Sequence, residues 1–525
     1  MMKKPHQKIA LLAAAAVVGT NIFMSGSVTA DKSANVGKKS SEIAVTAKSD
    51  YGSYEEAIAQ LMQQGVISGY SDGKMKPHQN IKRAEFAKML VLGLKLESNK
   101  DDIQLEDVKQ ADWYYKYVDT VAELGVMKSE DGKFKPNSNI THAEMAEAIA
   151  KGLQRDVMSI RSWMDGYSAD QFATRGDALQ LLATSQKSIR SESAKMTNIR
   201  SLNKVTMEVT FNQPLTQENE SLEAGMSHFV FDNGLKLVNQ PRLKTGSFST
   251  YILPTTTQTP GTTYTLNYRD SQSLKVEASD ELIRTNEARQ VDKDSFEIEV
   301  LKSDGVVDYG YMISVYSGGR GSNAMILDEN NTNNGQQYQI VPSLRSRNVM
   351  ITPEGGEPMT AHYLPFTQST DGNQEPKFRL ANGAKLKPGV KYTVTSDWLT
   401  LKNPAFVAKE AASVQINSVA QVDASHLNVT LSQDPGDEIF VQREVKLTGS
   451  DGSEAKAQYT VQSRKGATGT FVMQNEAKLT TGVTYTVQPI GDWAVSPEAL
   501  TLQRSSSLNP ILFLSLPKSV NSHRE

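Results

Sequence analysis

The chain has 525 residues, 38% of them apolar and 7% aromatic, with a formal net charge of −3. That length accommodates roughly two to five domains with cores of their own. The charge balance excludes the basic field of a nucleic-acid binder, and the lack of any cysteine excludes disulfides, thiol nucleophiles and thiolate metal sites.

The first residues read as an export signal. Lys3, Lys4 and Lys8 form a basic start, Ile9 to Val18 is a short apolar core, and Val28-Thr29-Ala30 offers small residues for cleavage. Removal of residues 1–30 would bring the net charge to −6. The apolar core is too short to span a bilayer, and no later stretch reaches about 18 apolar residues, so no membrane insertion is expected. Residues 31–50 read as a flexible leader.

Two related segments follow, GVISGYSDGKMKPHQNIKRAEFAKMLVLGL at 65–94 and GVMKSEDGKFKPNSNITHAEMAEAIAKGL at 125–153. An offset of 59 residues carries Asp72-Gly73 onto Asp131-Gly132, Lys76-Pro77 onto Lys135-Pro136 and Ala84-Glu85 onto Ala143-Glu144. A period of this length marks one supersecondary unit used repeatedly. In the first unit Ile58, Leu61 and Met62 predict a helix that Gly65 stops, and Ala84, Phe86, Ala87, Leu90, Val91 and Leu94 predict a second, amphipathic one. In the second unit Asp112 is a candidate N-cap before Trp113, and Thr141 with Glu144 is a capping box for the later helix. Lys82 stands where Thr141 stands, so the first unit would need another cap, with Asn80 the candidate. A third, worn unit is read from Trp163, Asp165-Gly166, Tyr167 and Phe172 to Leu179, giving units at about 51–98, 103–154 and 155–190 within a region 51–190.

Beyond residue 195 helical periodicity gives way to alternating strands, as in Val205 to Phe211, Phe296 to Val300 and Leu427 to Leu431. A glycine turn leading into Tyr-Thr recurs at Gly261/Tyr264, Gly389/Tyr392 and Gly482/Tyr485. These pairs predict three sandwiches, 196–286, 287–412 and 413–504, with the tyrosines packed at corners rather than forming a binding stripe. The middle block is longest, and its excess, Gly318 to Gln337, reads as exposed loop. Residues 505–525 read as a tail of disordered composition.

The N-terminal repeats resemble surface-layer homology (SLH) domains of Gram-positive bacteria. Leu105-Glu106-Asp107-Val108 with Trp113-Tyr114 supplies the lead-in of the family pattern. Gly125, Asp131-Gly132, Phe134 and Pro136, and Gly65, Gly69, Asp72-Gly73, Met75 and Pro77, supply the two turns. The whole is similar to an S-layer protein, which implies a multidomain chain: an all-α, pseudo-threefold assembly of helical hairpins followed by tandem all-β Ig-like sandwiches. The resemblance implies as partners a pyruvylated secondary cell-wall polysaccharide and other copies of the chain in a surface lattice. Such a polymer needs a fixed cation for the carboxylate, backbone N–H groups from a glycine turn and a flat apolar face for the sugar. The matching positions are Arg83 and Arg175 as cations, with His142 in place of the arginine in the second unit. Gly69, Asp72, Gly73, Asp131 and Gly132 match in the turns, and Trp113 as an exposed face. Asp107, Glu85 and Glu144 are expected to hold backbone or arginine geometry instead of touching an anion.

No H-E-x-x-H or nucleotide-binding loop is present and the seven histidines are scattered, so a catalytic role is not expected. The reading is a secreted structural protein of the bacterial cell wall. Its alternatives are a wall-anchored adhesin or glycan-binding protein, with residues 318–337 as the binding loop, and an anchored polysaccharide-active enzyme. Acidic loops such as Asp292-Lys293-Asp294 and Asp328-Glu329-Asn330 are compatible with structural calcium, although they lack a defined ligand spacing.

Overall fold

The computed structural model describes residues 51–98, 104–269, 272–300, 306–308, 325–365, 375–496 and 500–503. The expected export signal, leader and tail, and Gly318 and Gly319, lie outside these residues. The chain divides into two compact units, residues 1–189 and 190–525. Among the described residues no helix is long and apolar enough to cross a membrane.

The first unit contains α1 (Glu55–Gln63), α2 (Arg83–Leu94), α3 (Tyr115–Glu123), α4 (His142–Leu153), α5 (Val157–Ser162) and α6 (Arg175–Ser185). On α1 and α3 the apolar positions recur three and four residues apart and one face turns inward, whereas α2 and α6 are buried around most of their circumference. Leu61, Phe86, Leu90, Val118, Ile149 and Leu182 are fully buried in one core, each contributing roughly 1.5–3 kcal/mol of hydrophobic stabilisation.

The helix starts explain their own positions. Thr141 accepts the Glu144 N–H at 3.2 Å while Glu144 accepts the Thr141 N–H at 2.9 Å, the expected capping box. Thr174 and Asp177 repeat it on α6. On α2 half the box survives: Glu85 accepts the Lys82 N–H at 3.0 Å, and lysine has no acceptor to complete it. Lys82, not Asn80, occupies the N-cap position. Asp112 accepts the Lys109 N–H in a turn ahead of Trp113, and α3 begins only at Tyr115.

At the centre the all-α expectation fails. Three short extended segments lead into α2, α4 and α6, and they bridge in pairs, Asn80 with Thr174, Lys82 with Asn139 and Thr141 with Phe172. Their backbone forms a closed ring: Ile81 donates to Ala173 O (3.0 Å), Ala173 to Ile140 O (2.9 Å) and Ile140 to Ile81 O (3.3 Å). All three side chains are fully buried, so those amides must find protein partners, and extended pairing supplies them. With 19% helix and 34% strand among the described residues, the fold is mixed, and its helical part is joined by β-bridges.

In the second unit the expected β-rich architecture is present. A four-stranded sheet runs Met196–Asn203, Thr206–Phe211, Thr250–Pro254, Arg242–Leu243, and a three-stranded sheet runs Phe229–Phe231, Thr263–Tyr268, Gln272–Glu277; they enclose a common core. The next block is a single eight-stranded sheet from Leu399–Asn403 to Ala405–Val407. The last is a seven-stranded sheet from Ile416–Gln421 to Thr501–Gln503. The first and last strands of the seven-stranded sheet approach each other, so it curls around its core in barrel-like fashion.

The three recurrent tyrosines are buried at corners. Tyr264, Tyr392 and Tyr485 each accept, at 2.8–2.9 Å, the N–H of the residue five positions earlier, Thr259, Lys387 and Thr480. Gly261, Gly389 and Gly482 have φ of +75°, +82° and +84°, which explains the glycine in each turn.

The long segment of the middle block is not a free loop where it is described. Leu327 and Ile340 form a small core with Ile252 of the four-stranded sheet. Asn203 Nδ2 donates to Ile340 O at 2.9 Å, and Arg200 and Thr245 donate to Glu329 O and Met325 O. This strap lies over the side chains of a buried ion pair, Lys244 with Glu208 at 2.8 Å.

Candidate functional site

The helices that follow the glycine turns do not use their own turns. The first two amides of α2 donate to Ser138 O and Pro136 O of the second repeat. Those of α4 donate to Gln171 O and Ala169 O of the third repeat, and those of α6 to Gln79 O and Pro77 O of the first. These are N–H groups that a helix cannot satisfy internally. The same head-to-tail order carries the first side chain of each helix into the next repeat's turn.

Arg83 thus enters the turn of the second repeat. Its Nη1 pairs with Glu144 Oε1 at 2.7 Å, its Nε donates to Phe134 O at 2.9 Å and its Nη2 to Lys128 O at 2.7 Å. The guanidinium lies 4.8 Å from the centre of the Phe134 ring. Beside it opens a cavity of about 260 Å³ whose polar wall includes Lys128, Glu130, Lys133, Lys135, Glu147 and Lys151. Lys135 pairs with Glu130 at 2.6 Å and holds that carboxyl below its usual range, while Glu130 raises the lysine.

Backbone chemistry shapes this wall. Asp131 and Gly132 take left-handed φ of +48° and +74°, and reverse the chain that carries Glu130 and Lys133 to the cavity. Asp107 accepts the N–H of Phe134 at 2.8 Å and of Lys135 at 2.7 Å, pinning the far side of the turn. Glu144 serves both its cap and Arg83. The geometry-holding roles expected of Asp107 and Glu144 are the ones observed.

The two related stations are filled by aromatic rings. Arg175 donates to Ser68 O at 3.2 Å and lies 4.8 Å from the centre of the Tyr70 ring. Tyr70 donates to Glu85 at 2.8 Å, and burial, then this bond, push its phenol up to about 12. Gly69 is needed because a Cβ there would stand 3.1 Å from Gly73 O. Asp72 accepts the Lys74 N–H and pairs with Lys76 at 3.0 Å, fixing this turn. His142 is buried; Ser168 N–H donates to its Nδ1 at 3.3 Å, its Nε2 lies 3.4 Å from Asp177, and Tyr167 stacks on it.

Trp113 is 58% exposed, rests edge-on against Tyr114 and has Lys88 Nζ 5.9 Å from its ring centre. It does not line the Arg83 cavity. The structure therefore brings Arg83 to the turn bent by Asp131 and Gly132, Arg175 to the turn of Gly69, Asp72 and Gly73, and leaves Trp113 apart. Sequence reasoning missed Lys128, Lys133, Lys135 and Lys151. The signal for Lys151 was its spacing after Glu144 and Glu147, which puts all three on one face of α4. Among the described residues no group of three or more His, Asp or Glu is arranged to hold a metal ion. Asp294 is engaged by Arg443 at 2.7 Å.

Residues 46–87 and 104–146 match the S-layer homology domain; the third helix pair lies outside those stretches. An S-layer protein of Bacillus thuringiensis subsp. finitimus is 24% identical over 200 residues, 32% of this chain and 24% of its own. The S-layer protein Sap of Bacillus anthracis is 23% identical over 196 residues, 31% of this chain and 24% of its own. An endoglucanase of a Bacillus species is 33% identical over 130 residues, 23% of this chain and 13% of its own. The chain thus spans about a quarter or less of the length of these relatives. Among solved structures the S-layer protein rSbsC(31-844) covers 63% of this chain and 56% of its own at 10% identity, with a TM-score of 0.14, too low to bear on the fold.

Proposed function

We propose that this chain is a structural protein of a bacterial cell surface, held non-covalently on the wall through residues 51–189. The ligand in this reading is an acidic secondary cell-wall polysaccharide, with pyruvate ketals as the carboxylate-bearing groups. The β-rich remainder takes part in self-association into a surface lattice, and no catalytic step is assigned to the chain. The observation that carries the reading is the cavity beside Arg83, lined by five cations and three carboxylates drawn from two successive repeats. An anion is matched there by the lysines. Arg83 itself is enclosed, so its part is to hold the walls together. The stations of Arg175 and His142 are occupied by Tyr70 and Tyr167, which leaves the Arg83 cavity as the principal site of the three.

The test is sedimentation of the intact protein with native wall sacculi and with sacculi stripped of their secondary polymer. Co-sedimentation with the native sacculi alone is expected. Equal retention on both preparations would count against polymer recognition, and retention on neither would remove the anchoring role.

A further inference from the structure

Among the described residues, every cation of the Arg83 cavity has a carboxylate partner except one. Arg83 pairs with Glu144 at 2.7 Å, Lys135 with Glu130 at 2.6 Å, Lys133 with Glu106 at 3.5 Å and Lys128 with Glu147 at 3.7 Å. Lys151, also on the cavity wall, makes no ion pair among the described residues. Its Nζ donates to the carbonyl of Gly125 at 3.0 Å. An ammonium has three donors, so two remain for a ligand.

From this inventory we propose that Lys151 is the receptor for the carboxylate of the bound wall polymer, and that Arg83 is a positioning residue. The inference rests on the anchoring role proposed above. A ligand carboxylate approaching Lys128, Lys133 or Lys135 meets a charge that a protein carboxylate already offsets, whereas at Lys151 it meets one with no acidic partner among the described residues. Glu147 lies four residues earlier on the same helix face, the usual place for a partner of Lys151. It reaches Lys128 instead. The bond to Gly125 O ties the lysine to the turn that follows α3, which holds the ammonium at the cavity wall. Arg83 cannot take the same role without giving up bonds that join two repeats, because its three nitrogens face Phe134 O, Lys128 O and Glu144.

A rival account gives Lys151 only a structural task, closing the last turn of α4 by its charge and its bond to Gly125. The two accounts separate in one experiment. Binding of the intact protein is measured by titration calorimetry against solubilised native wall polymer and against the same polymer with its carboxyl groups reduced to alcohols. Lys151→Met keeps the length and helix preference of the side chain, Lys151→Arg keeps the charge, and thermal melting is recorded for both. The expected result is that Lys151→Met weakens binding of native polymer by about tenfold or more, the loss of one charge-assisted contact. Its binding of reduced polymer should equal that of wild type, Lys151→Arg should stay close to wild type, and melting should be unchanged. Wild-type affinity for native polymer in Lys151→Met would overturn the assignment, as would an equal loss on both polymers or a loss that follows a fall in melting temperature. If the unaltered protein binds neither polymer, the anchoring role itself fails, a result distinct from failure at Lys151.

Discussion

Replacing Arg83 by methionine removes a side chain that ties α2 to the turn of the second repeat. Its side chain is 9% exposed, and it makes three short contacts to Glu144, Phe134 O and Lys128 O. Hydrogen bonds from a charged donor contribute about 1.5–3 kcal/mol each, but they are not additive, and Glu144 is half exposed and keeps its capping role. Methionine also retains part of the packing against Phe134. A net loss of roughly 2–4 kcal/mol is the result, below the full cost of breaking a wholly buried pair. For a body of this size that corresponds to a fall of about 6–12 °C in the melting transition of residues 51–189. Circular dichroism melting of the intact protein measures it, with Glu144→Gln and the double variant completing a cycle. The double variant should melt closer to Arg83→Met than the sum of the two single losses. A shift of less than about 2 °C for Arg83→Met would refute the view that this guanidinium fastens two repeats together.

Three further outcomes are expected. Gly176→Ala improves helix preference on α6, yet its Cβ would stand 2.6 Å from the Tyr54 ring, so the variant should melt lower, by about 1–3 kcal/mol of overpacking; a higher melting temperature in differential scanning calorimetry would show that the ring moves freely. Tyr264→Phe, Tyr392→Phe and Tyr485→Phe each remove the bond to a backbone N–H five residues earlier and should each cost about 1 kcal/mol in urea unfolding, whereas a null effect at all three would make the hydroxyls dispensable. Lys385, by hydrogen bond, and then the Lys293 charge hold the Asp492 carboxyl below its ordinary value. Because the folded value is the lower one, this contribution is present above the ordinary aspartate range and fades as pH falls through the folded value. Asp492→Asn should therefore melt below wild type at neutral pH, and the gap should close in acid; a gap that widens in acid would reverse the sign.

Much of the local structure is legible in the sequence. Periodic apolar positions mark α2 and α4, Thr141 with Glu144 marks a capping box, and the glycine-to-tyrosine spacing marks the sandwich corners. What joins these pieces is less legible. The extended segments around Ile81, Ile140 and Ala173 are only a few residues each, too short for any alternating pattern. Their partners lie tens of residues away, as with Ile81 and Ala173, so no local preference identifies them. Arg83 lies close in sequence to Asp72-Gly73, but its side chain goes to Lys128 and Phe134, because α2 is seated by the carbonyls of residues 136 and 138. The polar composition of residues 328–337 reads as exposed loop, and the apolar positions that seat the strap, Leu327 and Ile340, flank that run without a regular spacing. Lys151 becomes distinctive only when the ion pairs around it are known.

The head-to-tail seating has a consequence for the anchor as a whole. Each helix of the second position in a repeat begins on carbonyls supplied by the following repeat, and α6 closes the circuit on Gln79 and Pro77. A repeat standing alone would leave the first amides of its own helix without these acceptors and the ring around Ile81, Ile140 and Ala173 open in an apolar core. The cavity is lined by residues of the first two repeats, yet the third repeat holds both of their inner segments in place. The worn sequence of that third repeat is then intelligible. Its own station, at His142 and Tyr167, is filled by side chains, while the backbone carbonyls and amides that close the ring are contributions any residue other than proline can make. What such a repeat contributes is where its chain runs more than which side chains it displays, so its motif can differ while the Arg83 cavity stays assembled.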